Sequence, residues 1–131
     1  MIRLRVRASL LVLLWCATAV SPQGPTTPGY IPLVSLIRVI ANPSDFSGQR
    51  IRIAGFLAPG GGLDRSVGVY VSETDGRNHI VPNSIDLHVE ASTVSGLMRR
   101  YVLLSGTYHA PAPRAGYNGY IDQVVEVGPW P

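Results

Sequence analysis

Apolar side chains recur at every second position from residue 49 onward. Ile51 and Ile53 fall on one face of an extended segment, and Arg50 and Arg52 fall on the other. A period of two is typical of a β-strand with one buried face. Gly55 interrupts the apolar face, as a glycine does where a strand bulges or bends sharply. The segment therefore predicts a long first strand that bends near its middle.

Four further stretches alternate in the same way and predict four more strands, at residues 67–71, 85–90, 101–108 and 120–127. Glycine-rich, proline-rich or polar segments separate them, and these predict connections, at residues 59–62, 73–82 and 110–118. Residues 92–99 fit either a loop or a short turn of helix.

A helix is predicted ahead of the strands, over Val34 to Asn42. Its apolar positions follow the i, i+3, i+4, i+7 spacing of one helical face, with Leu33, Leu36, Ile37 and Ile40. Ser35 is a candidate N-cap. Pro43 ends the helix, because the residue before a proline is pushed out of the helical conformation.

One helix followed by five strands predicts a mainly all-β fold over residues 33–128. We expect a small five-stranded antiparallel barrel of the OB type with an N-terminal helix. In OB-folds a glycine or bulge lets the first strand serve both halves of the barrel. A five-stranded sheet packed on a helix is the alternative.

The first nineteen residues differ from the rest and predict a cleavable signal peptide. Three arginines precede a short apolar run, and small residues follow at Ala17 and Ala19. Cleavage would fall between Ala19 and Val20. The apolar run has about ten residues, and a spanning helix needs about 20. We therefore expect an exported protein, periplasmic or secreted, whose residues 20–32 form a linker rich in proline and glycine.

Cys16 leaves one alternative open, a membrane-anchored lipoprotein. Leu13 stands at the right distance before the cysteine, but the bulky Trp15 occupies a position where a small residue is usual. Cys16 is also the single cysteine of the chain. After cleavage at Ala19 no disulfide, thiolate metal site or cysteine nucleophile is possible.

The excess of positive charge belongs to the signal segment. The chain has 11 arginines and lysines against 8 acidic residues, and three of the arginines precede residue 8. The remainder is 11 − 3 = 8 basic against 8 acidic residues, a net charge of zero. Long-range attraction to the phosphates of nucleic acid therefore has no net charge behind it.

The helix, turn and first strand together resemble a known type of protein. The residues that carry the resemblance are Val34-Ser35-Leu36-Ile37, Ala41-Asn42-Pro43, Phe46, Gly48, Arg50-Ile51 and Gly55-Phe56-Leu57. They are similar to the opening of a family of uncharacterised bacterial exported OB-fold proteins, and weaker matches extend to Val127. The resemblance implies the fold and no established activity. Relatives often have a His-Met-Gly-like stretch before the last strand, where this chain has Arg114-Ala115-Gly116-Tyr117.

No pattern in the sequence favours catalysis, a metal or a cofactor. The three histidines, His79, His88 and His109, lack the spacing of zinc ligands. Asp86 and Glu90 share a strand face with His88, a spacing that any polar strand face produces. No serine lies in a G-x-S-x-G context, and the glycine-rich segment lacks the lysine of a phosphate-binding loop. We expect a non-catalytic protein.

The outer face of the sheet is the candidate binding site, with Arg50, Arg52, Tyr70, His88 and Tyr108. OB-folds bind ligands across the face of strands 2 and 3. Exposed tyrosines in an arginine stripe would favour an oligosaccharide or single-stranded nucleic acid. A neutral face with an exposed apolar patch would favour a partner protein or small ligand in the cell envelope, which is the leading expectation. Cross-strand pairs of Arg52 with Asp86 or Glu90 would make the face a plain solvated surface.

Overall fold

The computed structural model describes residues 29–60 and 66–131. Its strands are β1 (Arg50–Pro59), β2 (Val67–Tyr70), β3 (Ser84–Leu87), β4 (Tyr101–His109) and β5 (Tyr120–Pro129). Its α-helices are α1 (Leu36–Ala41), α2 (Pro43–Phe46), α3 (Glu73–Arg77) and α4 (Ala91–Val94), and 3-10 turns lie at Val81–Asn83 and Ser95–Leu97. The predicted signal peptide, its cleavage site between Ala19 and Val20, Cys16 and the linker up to residue 28 lie outside the described residues.

The five strands form one mixed sheet that closes on itself in the order β1-β2-β3-β5-β4. The prediction of a mainly β protein with five strands is confirmed. The prediction that all strands run antiparallel is wrong, because β3 and β5 pair in parallel through Asp86↔Tyr120 and Leu87↔Ile121. A closed ring with an odd number of strands cannot alternate direction at every seam. One parallel pair is therefore a geometric necessity of closing five strands.

Strand β1 pairs with two neighbours in succession, and it changes partner beside Gly55. Its first part pairs with β4 from Arg50 to Phe56, and its second part pairs with β2 from Phe56 to Pro59. A Cβ atom built on Gly55 would lie 2.5 Å from Val69 Cγ1. Only a glycine lets β2 approach the strand this closely at the change of partner.

The interior of the ring holds the apolar face that the alternation predicts. Ile51, Ile53 and Leu57 of β1 are fully buried, as are Val102 and Leu104 of β4. Burying a side chain of this size contributes about 1.5–3 kcal/mol. These residues make the interior face of the sheet the main core of the protein.

Helix α1 is shorter than predicted, and its inward face is shifted: Leu36 and Ile40 face the core as predicted, but Val39 replaces Ile37 there. Leu36 and Val39 are buried, whereas Ile37 is 61% exposed. The helix begins at Leu36 because the preceding residues are extended along β1, with Val34 N–H donating to the Arg52 carbonyl at 2.8 Å. Leu33 is therefore outside the helix. Ser35 does occupy the N-cap position, but its side chain makes no capping hydrogen bond.

Helix α3 lies in a segment for which the sequence predicts only a polar connection. The Ser72 hydroxyl oxygen accepts a hydrogen bond from Asp75 N–H at 3.1 Å and caps the helix. The same hydroxyl and the Asn83 amide donate to the Asp75 carboxylate and lower its pKa. Gly76 is buried, and a Cβ atom there would lie 2.6 Å from the Phe56 ring. The helix therefore covers the outer face of β1 and β2.

Candidate functional site

Arg52 lies on the outer face of the sheet and forms an ion pair, but its partner differs from the predicted one. Its guanidinium donates to Glu126 Oε2 at 2.7 Å and to Ser105 Oγ at 3.1 Å. The expected partners were Asp86 or Glu90 of the third predicted strand. Arg52 instead lies in the part of β1 that pairs with β4, and Glu126 belongs to β5, the next strand beyond β4. Both charged side chains are well exposed, and such pairs contribute about 0–1 kcal/mol. The neighbouring Arg50 is exposed and paired through its backbone with Thr107.

Tyr70 points to the outer side of β2, as expected, but it is fully buried there. Its ring lies along the strand, so that a Cβ atom at Gly68 would be 2.8 Å from it. The hydroxyl donates to the Pro59 carbonyl at 3.0 Å. Burial first, and the charge of Asp86 second, raise the pKa of Tyr70. Helix α3, absent from the sequence prediction, covers this part of the face and leaves no aromatic surface for a ligand.

Tyr108 is also buried, and it lies on the inner face of β4 rather than the outer one. Strand alternation, followed to the end of β4, places Tyr108 on the same face as Val102 and Leu104. Its assignment to the outer face was therefore wrong. Its hydroxyl donates to the Asn118 carbonyl at 2.7 Å. Burial raises the pKa of Tyr108 to about 12. Neither of the two predicted tyrosines can therefore stack against a bound sugar or base.

His88 takes part in a stack of three rings that crosses β3, β5 and β4. The His88 and Tyr120 ring centroids are 4.2 Å apart, and those of Tyr120 and His109 are 4.7 Å apart, with nearly parallel planes. His109 Nε2 is 2.9 Å from Asp122 Oδ1. Both faces of the Tyr120 ring are covered by the two histidine rings, so Tyr120 cannot stack on a ligand. The stack instead connects residues of three neighbouring segments of the sheet.

The pair of His109 and Asp122 supplies two of the three groups of a hydrolytic triad. Among residues 29–60 and 66–131 no serine or threonine hydroxyl is hydrogen-bonded to His109. In the same ranges no group of three or more His, Cys, Asp or Glu residues is placed to hold a metal ion. The pair links β4 and β5 across the sheet.

An open apolar groove lies between the start of α1 and the end of β5. Its most exposed apolar side chains are Leu33 at 55%, Ile37 at 61% and Trp130 at 42%. Ala54 and Val71, both partly buried, form part of its floor. The residues that line it are uncharged. Exposed apolar side chains gathered in this way are typical of a surface that contacts another molecule.

Backbone hydrogen bonds hold both sides of the groove in place. Arg52 N–H donates to the Pro32 carbonyl at 3.0 Å, which fixes the extended residues before α1 against β1. On the other side, Trp130 N–H donates to the Tyr101 carbonyl at 2.9 Å. Hydrogen-bonded backbone therefore presents the apolar side chains on both sides of the groove.

The sequence analysis missed this groove because its parts look like core or like chain ends. Leu33 and Ile37 match the predicted buried face of a helix, and Trp130 lies beyond the last predicted strand. One signal was present in the sequence. Trp130 lies outside every predicted strand, and tryptophan is enriched at protein interfaces.

Two further observations bear on what kind of protein this is. None of the helices within residues 29–60 and 66–131 has the length and apolar character needed to cross a membrane. No protein-family model, curated protein or solved structure matches this chain.

Proposed function

We propose that this chain is a non-catalytic, exported module that binds an apolar segment of a partner protein in the groove. The observation that carries the proposal is that Leu33, Ile37 and Trp130 are exposed and line the same groove, whose backbone is fixed by hydrogen bonds on both sides. Leaving three large apolar side chains in water has a cost that binding would recover, at about 25 cal/mol for each Å² buried.

An OB-type fold is part of the same proposal. Its support is the order of the five strands, the sharing of β1 between β2 and β4, and the glycine at the change of partner. Membership of the exported OB-fold family rests on the motif from Val34 to Leu57. Export rests on residues 1–19, and the mass of the chain recovered from the cell envelope tests it. A mass beginning at Val20 supports a soluble exported domain, and one beginning at a lipidated Cys16 supports a membrane anchor.

A protein segment suits the groove better than a small ligand does. Small-molecule sites enclose most of the ligand surface and combine apolar walls with a few converging polar groups. This groove is open, and the polar side-chain groups among the described residues that line it are the Ser35 hydroxyl and the Trp130 indole N–H. A leucine or phenylalanine side chain of a partner could pack between Ile37 and Trp130 and bury both.

The alternative, an oligosaccharide or single-stranded nucleic-acid binder at the outer face, has less support. Such binding uses exposed aromatic rings together with unpaired cations. Tyr70 and Tyr108 are buried, and Arg52 is paired with Glu126. Arg50 and His88 remain exposed, but the inward face of the His88 ring is already stacked on Tyr120.

A photo-crosslinking amino acid at position 37 tests the proposal in the native cell. The matched control carries it at position 125, where Val125 is 56% exposed and is not among the residues that line the groove. We expect a defined protein product from position 37 that position 125 does not give. With that partner purified, Ile37→Asp should weaken binding at least about tenfold, since a charge would be buried against apolar surface, whereas Val125→Asp should not.

Two outcomes would contradict the proposal. Equal products from both positions would show that the groove is not a specific surface. A product consisting only of a second copy of this chain would make the groove a self-association surface. Circular dichroism of both variants checks that the comparison is between folded proteins.

A further inference from the structure

A second cleft lies where β1 ends, between α3 and the residues that lead into β4. Phe56, Ala58 and Gly76 contribute to its floor. All three are buried, and the two small residues leave a shallow apolar surface beside the phenylalanine ring. Tyr101 supports this floor, because its ring meets Phe56 edge-on with centroids 5.4 Å apart. These floor residues are themselves buried, and the exposed apolar residue that lines the same cleft is Pro59.

The polar side chains that line the same cleft are Arg77, His79 and Arg99, and its described lining includes no acidic residue. Arg77 uses its Nε and one Nη2 hydrogen toward Glu73 Oε1. A guanidinium has five N–H donors, so three remain. Arg99 has no side-chain hydrogen bond or ion pair within residues 29–60 and 66–131. Two arginines against one glutamate give 2 − 1 = +1 at this site with His79 neutral.

Two of the three polar residues that line the cleft have a backbone conformation that side chains rarely adopt. His79 has a φ of 52° and Arg99 a φ of 60°. Left-handed conformations of non-glycine residues persist where the surrounding structure holds them, and they are frequent at binding sites. Arg99 N–H donates to the Leu57 carbonyl at 2.8 Å, which ties the residue to the end of β1. The left-handed backbone of Arg99 and its hydrogen bond to Leu57 together fix the position of Arg99, whose side chain lines the cleft.

We propose that this cleft binds a phosphate monoester that carries a ring or a compact apolar body. A phosphate monoester has about two negative charges at neutral pH and three acceptor oxygens. Arginine pairs with such oxyanions through two parallel N–H donors, which a single-point cation cannot do. Arg99 would hold the phosphate, the remaining donors of Arg77 would assist, and the apolar body would lie against the exposed Pro59. The site is separate from the groove and does not depend on the function proposed for it.

A titration with phenyl phosphate, followed by two-dimensional NMR of the ¹⁵N-labelled chain in the form recovered from cells, tests this proposal. We expect saturable shifts of the Gly76 and Ala58 amides. Arg99→Gln should weaken the apparent affinity at least about tenfold. The matched control is Arg114→Gln, because Arg114 also has a left-handed backbone, with a φ of 65°, and lies outside the cleft. This control should leave the affinity unchanged, and unperturbed spectra of both variants show that each is folded.

Three results would overturn the proposal. Phenol producing the same shifts would show that the phosphate is not recognised. Benzoate binding as tightly as phenyl phosphate would show that a carboxylate suffices. Arg114→Gln weakening binding as much as Arg99→Gln would reduce the effect to general surface charge. None of these results bears on the groove, so this proposal and the proposed function can fail separately.

Discussion

Two tyrosine hydroxyl groups lie in the interior of this small protein, and each donates to a backbone carbonyl. Tyr70 bonds to Pro59 at 3.0 Å, and Tyr108 bonds to Asn118 at 2.7 Å. Burial is the main reason that the pKa of each is raised. The folded protein therefore holds these protons more tightly than the unfolded chain does. The stability they contribute is complete below the ordinary tyrosine pKa and is lost as pH rises above it.

Replacing Tyr108 by phenylalanine is expected to have two effects. At neutral pH the free energy of unfolding should fall by about 1 kcal/mol, because the Asn118 carbonyl loses its donor. Between the ordinary tyrosine pKa of 10.0 and the folded value of about 12, the loss of stability with rising pH should be smaller than in the parent. Urea unfolding at a series of pH values measures both effects.

The matched control for this variant is Tyr117→Phe, since Tyr117 is 38% exposed and its hydroxyl is not hydrogen-bonded to any described residue. It should leave both quantities unchanged. Identical pH dependence in the parent and in Tyr108→Phe would show that the Tyr108 proton is not linked to folding.

At the scale of the elements, β1 has a special position because it belongs to two seams of the ring. Its change of partner depends on the absence of a side chain at Gly55, where a Cβ atom would meet Val69 Cγ1 and, at 2.8 Å, the Tyr70 carbonyl oxygen. A backbone oxygen cannot rotate away as the end of a flexible side chain can. The strand would have to separate from β2 to accommodate even one methyl group.

Gly55→Ala is therefore expected to lower the free energy of unfolding by about 1–3 kcal/mol, the usual cost of overpacking a core. Gly128→Ala is the matched control. Gly128 lies in β5, and nothing approaches within 4 Å of a Cβ atom built there. This variant should be neutral or slightly stabilising, because alanine restricts the unfolded chain. Thermal unfolding of both variants measures the difference, and equal losses would contradict the account of Gly55.

The same elements show what the sequence could and could not predict. Alternation located all five strands and also the inner face of β1, where Ile51 and Ile53 are buried. It could not show that Phe56, on the polar side of β1, is buried, since that depends on α3 folding back over the sheet. The capping pattern of Ser72 and Asp75 was readable, but five residues of helix give little periodicity. The start of helix α1 could not be predicted, because it depends on the pairing of residues 32–34 with a distant strand.

The candidate site was less predictable than the strands, for a physical reason. Leu33 and Trp130 are nearly a hundred residues apart in the sequence, and only the closure of the ring brings them to one groove. The predicted outer-face site failed in a different way. Four of its five residues were correctly assigned to strands, whereas His88 lies just after the end of β3. Tyr70 was covered by an unpredicted helix, and Tyr108 was assigned to the wrong face.

At the scale of the whole molecule, the ring is weakest where β3 meets β5. This parallel seam has two residue pairs, whereas β1 and β4 share seven. Its backbone hydrogen bonds run from Asp86 N–H to Gly119 at 3.1 Å and from His88 N–H to Ile121 at 2.9 Å. The stack of His88, Tyr120 and His109 lies across the same seam and the next one. We infer that this stack stabilises the closure of the ring.

Tyr120→Ser is expected to open this seam selectively. Amide hydrogen exchange of Asp86 and His88 should accelerate relative to that of Ile53, because the stacked contacts on both sides of Tyr120 are lost. Tyr117→Ser, at an exposed position outside the stack, is the control and should change neither rate. Equal acceleration of all three amides in Tyr120→Ser would show that the stack contributes to global stability and not to this seam.

Trp130 gives the groove an optical consequence. The sequence has two tryptophans, and the other, Trp15, lies in the segment expected to be removed on export. In the processed chain the indole of Trp130 would then be the sole source of tryptophan fluorescence. Because it is 42% exposed in the groove, any apolar occupant would shield it from water and shift its emission to shorter wavelength. The protein thus contains its own reporter of occupancy, readable without a label.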